Sequence, residues 1–340
     1  STLMRSSAAS DVYKRQIYLL LAYALFSACT VQVTAQKQVS EEKIEPFPVE
    51  KSLQAEKIKV NEVFFLDGIK VKKGSIFALD SKSTDTLLYQ YSLPKFQCIY
   101  KGGRKGGAED EFQISPTLCK TVSDKVYIFG YTPFLIKSFT LDSNNHLSLE
   151  KKLELPVYDE IPNHMNVVND SLLIYSTVPN KLDIEKVNLN TRQITGRILI
   201  EQENHKENFF DKNRGHLAAN DSLIIYAYTY KKQIDFYRIN DMILCKRLVD
   251  DTVIPHIVMG NFKETIFHQR ELVAGKHYFY IRCFKKGGGC FIEVYDYSGH
   301  SIARYELDIL LYTFDVDEAN RTIYGYNGAV FEDVFLMYNY

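Results

Sequence analysis

The 340 residues contain no tryptophan at all. That absence removes the Trp-Asp signature of WD40 blades and the Trp of kelch blades. Charge of one sign is missing too: 41 basic and 42 acidic residues cancel, and no basic stripe stands out, so a nucleic-acid partner has no electrostatic basis. There is no CxxC pair to form a zinc knuckle, and no HExxH, GxSxG or P-loop. Asp315 and Asp317 in DVDEAN lack the glycine and distal glutamate of an EF-hand loop, and read as a strand and its turn. Beyond residue 40 no segment of helical length sustains an apolar period of 3.6. No cofactor is expected.

What is present is repetition. NDSLLIY at Asn169–Tyr175 returns as NDSLIIY at Asn220–Tyr226, 51 positions on. The same design, a turn residue before a short apolar β-rich run, begins at Gly74, Asp124, Asp170, Asp221, Gly275 and Asn320. The intervals are 50, 46, 51, 54 and 45, with a mean of about 49, close to one four-stranded propeller blade. Gly, Asp and Asn suit such turns because they accept positive φ or bond the backbone through the side chain. An inner strand precedes each turn, as in Ser115–Val122, His164–Val168 and His216–Ala219, and an alternating third segment follows the run, as in Leu135–Leu141, Leu182–Leu189, Gln233–Ile239 and Phe291–Tyr297. Six units of one internal order predict an all-β, six-bladed β-propeller of four-stranded antiparallel blades over residues 55–340. The sixth unit stops one strand short, at Phe331–Tyr340. The surplus segment Lys57–Val60 is expected to pair beside Phe331–Tyr338, so that an N-terminal strand closes the ring.

The amino terminus reads differently. SSAASDVYKRQ resembles a translated sequencing-adapter tail, so residues 1–16 are set aside as an artefact. Ile17–Phe26 is a ten-residue apolar run, too short to span a bilayer and the right size for a signal-peptide core. It runs into Ser27, Ala28 and Cys29, similar to the lipobox in which cysteine becomes the lipidated first residue. Cleavage after Val33–Ala35 is the alternative, giving a soluble periplasmic protein. Residues 30–54, rich in Lys, Glu, Gln and Pro, read as a hydrophilic tether. Of the other cysteines, Cys283 and Cys290 flank FKKGGG and are either a hairpin disulfide or two separate thiols; Cys119 and Cys245 are expected in the core.

The most distinctive loop is GGRKGGAEDEF, Gly102–Phe112, whose Arg104 and Lys105 sit among glycines without opening a helix. A Gly-rich turn leading into Glu-Phe, between the first blade and the second, resembles the Gly-x-Gly-Pro-Gly-Glu-Phe turn of TolB-like six-bladed propeller lipoproteins of bacterial envelopes. Gly102, Gly106, Gly107, Glu111 and Phe112 carry the match; the Pro is absent and Ala108, Glu109 and Asp110 are inserted. The resemblance implies a fold and an outer-membrane or periplasmic location.

His164, His216 and His268 are spaced by 52 and 52 and are expected at similar heights near the channel mouth, lining a wet pore beside Asn163, Arg214 and Arg270. A shared metal would require them to converge at bond length, and none is assigned. The loops from blade to blade, Gly102–Phe112, Val157–Asn163, Gln202–Arg214 and Asp251–Phe267, are expected to build a binding face, with Tyr158, Phe209, Phe210 and His256 as contacts. The function predicted is a monomeric, lipid-anchored binding or scaffold module for an envelope protein or glycan. The alternative is a calcium-dependent lactonase or esterase-like hydrolase or lyase, with Asn166, Asn213 and Asp315 supplying oxygen ligands.

Overall fold

A computed structural model of the chain describes residues 39, 41–62, 65–80, 82–83, 85–108, 111–143, 147–156, 160–178, 180–203, 208–285 and 288–340. Cys29, Tyr158 and the whole signal-peptide region lie outside them.

Three short strands come first: β1 (Glu41–Lys43), β2 (Glu50–Leu53) and β3 (Glu56–Lys59). Blade 1 follows as β4 (Leu66–Lys72), β5 (Ser75–Asp80), β6 (Leu88–Ser92) and β7 (Gln97–Gly102). Blade 2 is β8 (Thr117–Leu118), β9 (Val126–Tyr131), β10 (Phe134–Leu141) and β11 (Leu147–Glu154), and blade 3 is β12 (Ile161–Asn169), β13 (Leu172–Val178), β14 (Ile184–Asn188) and β15 (Gln193–Ile198). Blade 4 comprises β16 (Gly215–Ala219), β17 (Leu223–Tyr228), β18 (Gln233–Arg238) and β19 (Leu244–Val249). Blade 5 comprises β20 (Gln269–Ala274), β21 (Tyr278–Phe284), β22 (Cys290–Asp296) and β23 (Ser301–Leu307). The last blade has only β24 (Thr313–Asp317), β25 (Thr322–Tyr326) and β26 (Val334–Asn339) from its own unit, and β3 supplies the fourth strand. The ladder is antiparallel, with Phe335 opposite Ile58, as expected for closure by an N-terminal strand.

The repeated apolar run is the second strand of every blade. Its residues are buried on both faces, all six of β5 for example, because each sheet is covered by a neighbour on either side. The outer strands alternate instead, since one face meets solvent. The apolar side chains gather into six clusters, one at each seam between successive blades. The seam of blades 6 and 1 packs Tyr91, Phe96, Tyr324 and Phe335, with Phe335 rings 5.4 and 5.5 Å from Tyr91 and Phe96. A core that returns to its first blade is what makes the six units one ring.

Two expectations are corrected, for the tether and for Cys245, and two open alternatives, at the turns and at Cys283 and Cys290, are resolved. The described part of the stretch read as a tether is built onto the propeller: β1 runs parallel to β19 and β2 parallel to β23, as fifth strands on blades 4 and 5. Of the six turn residues only Gly74 has positive φ (70°); in unit 6 it is Arg321 (52°). Elsewhere side chains hold the turns: Asn169 Oδ1 accepts from Ser171 N, Asn220 Oδ1 from Ser222 N, and Glu318 of blade 6 reaches across to accept from Lys276, His277 and Tyr278 N. Cys245 is exposed, not core, whereas Cys119 is buried. Cys283 and Cys290 are free thiols on opposite faces of one hairpin: Cys283 stands opposite Phe291 and Cys290 opposite Phe284, so adjacent register rows send the two sulfurs to different seams.

Candidate functional site at the channel mouth

In a four-stranded meander the link to the next blade emerges at the end where the inner strand begins, so the blade-to-blade loops surround one mouth of the central channel. All six inner strands or the residues flanking them line a cavity of about 600 Å³ there. Because alternate residues of a strand face the axis, each strand delivers its polar group in turn: Lys70, Lys120, Asn166, His216, Arg270 and Asp315.

Two ion pairs lie in the cavity wall; the first is fully hydrogen-bonded, whereas Glu271 Oε2 and Arg282 Nε of the second are buried without a hydrogen-bond partner. Lys70 Nζ lies 3.0 Å from Asp315 Oδ2, and that carboxylate also accepts from Val71 N at 2.6 Å. Arg282 Nη1 is 3.6 Å from Glu271 Oε2 and donates to the Leu311 carbonyl; Glu271 Oε1 accepts from Thr313 Oγ1 at 3.3 Å. Burial and the nearby Asp80 raise the remaining carboxyl, Asp67. Lys120 donates to the Leu272 carbonyl, and burial above all lowers its pKa to about 8; Glu271 and Asp315 oppose that shift while Lys70 and Arg282 add to it. Among the described residues no carboxylate forms an ion pair with Lys120, Arg214 or Arg270.

His164 and His216 come together, with ring centroids 4.3 Å apart. A bulge between Asn163 and Asn166 in β12 aims them: His164 takes φ 46°, Asn163 Oδ1 accepts from its N–H, and its Nδ1 lies 3.0 Å from Ser176 Oγ. Burial, followed by the charges of Lys120, Arg214 and Arg270, drives His164 to about 3; burial and largely the same neighbours also hold His216 well below its ordinary value. Both rings are therefore neutral near pH 7, ringed by cations. His268 does not join them. It lines a separate groove with Lys232, Asp250 and Arg304, and burial lowers its pKa as well.

Aromatic rings back two of the arginines. Arg214 sits 4.1 Å over the Phe209 ring and Arg270 5.0 Å over Phe267, which leaves the N–H edges of each guanidinium unblocked by the ring. Phe262 packs on Phe209 at 4.7 Å and Phe210 at 4.8 Å, and Tyr230 donates to the Phe209 carbonyl, so the loops before blades 4 and 5 form one ledge. Phe210 is buried beneath it, while Phe262 is 51% and Ile254 80% exposed; His256 is exposed on the same loop.

The Gly-rich loop spends its Glu and Phe on itself. Glu111 Oε2 accepts from Ala108 N at 2.9 Å, and a Cβ at Gly106 would stand 2.1 Å from that oxygen, which explains glycine there. Phe112 is buried under Lys137, whose ammonium lies 4.2 Å over its ring and donates to the Glu111 carbonyl. Arg104 and Lys105 are exposed. Among the oxygen ligands expected for calcium, Asn166 bonds the backbone of His164 and Ala219, Asn213 bonds Glu201 O and Lys231, and Asp315 is held by Lys70. Among the described residues no group of three or more His, Cys, Asp or Glu converges to hold an ion.

Sequence reasoning found His164, His216, Arg214, Arg270 and Phe209 at this mouth. It passed over Lys70 and Lys120, although they lie one blade period apart, and it passed over Arg282, Phe262 and Phe267. The available signal was a recurrent charge within otherwise apolar inner strands.

The architecture is that of a six-bladed β-propeller with a closed ring. No family model and no curated protein matches the chain. Solved structures match by fold: a Bacteroides fragilis protein described as exported, at 11% identity over 85% of this chain and 98% of that one, has a TM-score of 0.52. The WD40 repeats of RRP9, at 5% identity over 84% and 97%, give 0.50, and U3-55K, at 6% over 84% and 98%, also gives 0.50. At such identities the likeness concerns the fold alone.

Proposed function

We propose that the chain is an exported, lipid-anchored binding or scaffold module that presents the loop face of its propeller to an envelope protein or glycan. The observation that carries the reading is the ledge at the channel mouth, where Ile254, Met259 and Phe262 are at least half exposed on one blade-to-blade loop and Tyr312 is 49% exposed on another. Apolar side chains grouped at the rim of a concave polar channel are the usual anatomy of a recognition surface. The apolar run Ile17–Phe26, the lipobox-like Cys29, the TolB-like Gly-rich turn and the fold shared with a Bacteroides fragilis protein described as exported support export. No observation favours the hydrolase alternative over this reading.

The test is a comparison of the chain carrying Cys29→Ser with the same chain also carrying Ile254→Ser, Met259→Ser and Phe262→Ser, each used as bait for envelope extract. A specific partner, retained by the first and lost at least about tenfold by the second with melting temperature unchanged, is the expected result. Equal retention by both removes the loop face from the reading. Palmitate labelling that persists without Cys29 removes the anchor.

A further inference from the structure

We infer that the channel mouth is a binding site for an anionic group, a carboxylate or phosphate carried by a small ligand or by the end of a chain. The inference rests on the binding-module reading and narrows it to one chemistry at one place.

Charge accounting is the first support. The cavity holds Lys70, Lys120, Arg270 and Arg282 against Asp67, Glu271 and Asp315, and Arg214 stands at its rim beside the histidine pair. Lys70 with Asp315 is a close pair at 3.0 Å, whereas Arg282 and Glu271 stand 3.6 Å apart and leave Arg282 Nε and Glu271 Oε2 without hydrogen-bond partners. Lys120, Arg214 and Arg270 are left around two neutral imidazoles without an ion pair of their own among the described residues, although the charge of Glu271 reaches Lys120 and Arg270 and that of Asp315 reaches Lys120. Arg270 is opposed by Arg282 and Arg214, and Lys120 by Lys70 and Arg282, a repulsion at a half-buried site that a bound anion relieves.

Geometry is the second. Arg214 and Arg270 are each held over an aromatic ring, Phe209 at 4.1 Å and Phe267 at 5.0 Å, and a guanidinium presents the fork of N–H groups that carboxylate and phosphate oxygens accept from in pairs. Lys120, by contrast, adds a point charge inside the cavity. A volume of about 600 Å³ lies in the range of small-ligand pockets, so the occupant is a small molecule or a chain terminus rather than a folded surface. The exposed ledge of Phe262 would then contact whatever extends outward from the anion.

The sign of the pH dependence follows from Lys120. It is charged below about pH 8 and loses its proton as pH rises through that value, so affinity for an anion falls across the same window. The charged groups that face Lys120 are Glu271, Asp315, Lys70 and Arg282, and His164 and His216 stay neutral across that window.

The experiment is isothermal titration calorimetry on the full chain with three probes: trigalacturonate, glucose 6-phosphate and neutral maltotriose. At least one anionic probe is expected to bind, with affinity falling with added salt and with pH above 8, while maltotriose does not. Arg270→Gln and Lys120→Gln are each expected to weaken that probe about tenfold or more, with Arg270→Lys recovering part of the loss. Lys120→Gln should also abolish the step near pH 8. The two anionic arms separate a carboxylate site from a phosphate site. Silence from both anions, equal binding of maltotriose, or unchanged affinity in folded Arg270→Gln and Lys120→Gln overturns the inference. If both anions are silent while the chain still captures a partner through the loop face, the channel idea fails and the binding-module reading stands; if an anion binds but capture survives in the Ile254, Met259 and Phe262 variant, the loop-face reading fails and the channel site stands.

Discussion

Blades 1 to 3 and blades 4 to 6 are built to one plan but finished differently at the rim. In the first half the outer strands β7, β11 and β15 end four-stranded sheets; in the second half the segment holding β1, β2 and β3 passes from blade 4 to 5 to 6 and adds a strand to each. Edge chemistry does not explain the contrast. In blades 1 to 5 a bulge breaks the ladder between third and fourth strands, covered or not, the device by which sheets twist their edges away from further pairing. What differs is the strap itself. Its strands are mostly charged, but Ile44 and Phe47 pack into the seam of blades 4 and 5, and Leu53 is buried in the seam of blades 5 and 6. Phe47 meets Tyr295 edge-on at 5.3 Å. The strap is held by apolar anchors dropped between blades, and its strand pairing follows from where those anchors land.

Removing residues 56–59 should have the largest effect, because β3 is both the end of the strap and the fourth strand of the last blade. Without it the outer backbone groups of β26 lose their partners and the seam around Phe335 opens to solvent. The expected outcome is loss of the single cooperative unfolding transition, read by calorimetry. A variant that still melts in one transition near the parental temperature would mean that the ring closes by other contacts.

A buried ion pair recurs in both halves and allows a sharper comparison. Asp235 on β18 is wholly buried, faces Arg247 on β19 with 2.7 Å contacts from Nε and Nη2, and accepts from the hydroxyls of Tyr228 and Tyr237. In blade 3 the same positions hold Glu185 and Arg197, 2.5 Å apart, with Tyr175 donating to Glu185. The strap adds Glu41, 3.3 Å from Arg247, while the second carboxylate near Arg197 is Asp183, 3.9 Å away in its own blade. Arg247→Ala is expected to cost about 3–5 kcal/mol, since it strands a desolvated carboxylate. Arg197→Ala should cost less, because its side chain is already 38% exposed and water can replace it. Chemical denaturation of the two variants measures the difference; equal losses would show that the strap contributes nothing to the pair.

The sequence carried the blades legibly because a middle strand buried on both faces is a run such as SLIIY, and six such runs at one spacing admit few folds. It carried the closure for a simpler reason: the last unit lacked a strand and Lys57–Val60 was left over. β1 and β2 were invisible because all of Glu41–Lys43 and all but Leu53 of Glu50–Leu53 are exposed at the rim, so no alternation marks them. The site was half legible. Histidines at equal spacing pointed to the mouth, yet His268 turns to another groove, because it precedes β20 and a bulge between Gln269 and Glu271 breaks the alternation that would put it on the side of Arg270. Lys120 and the Phe262 ledge depend on which loops meet in space, and spacing along the chain does not contain that.

The weakest link in the comparison is the strap's surface charge. Glu42 Oε2 lies 2.7 Å from Lys246 Nζ, Lys43 lies 3.8 Å from Asp251, and these side chains are mostly solvent-accessible. Pairs of this kind contribute roughly 0–1 kcal/mol, because water screens them and both chains lose rotamer freedom. Glu42→Gln is therefore expected to lower stability by less than about 1 kcal/mol, with the difference vanishing as salt is raised. Ile44 N–H would still donate to the Val249 carbonyl at 2.9 Å, and Ser301 Oγ to the Glu45 carbonyl at 2.7 Å. If this exposed change instead released the strap, read as new proteolytic cleavage within residues 41–53, charge rather than the buried anchors would be what fastens it. Blades 4 to 6 would then differ from blades 1 to 3 by their surface electrostatics and not by their seams.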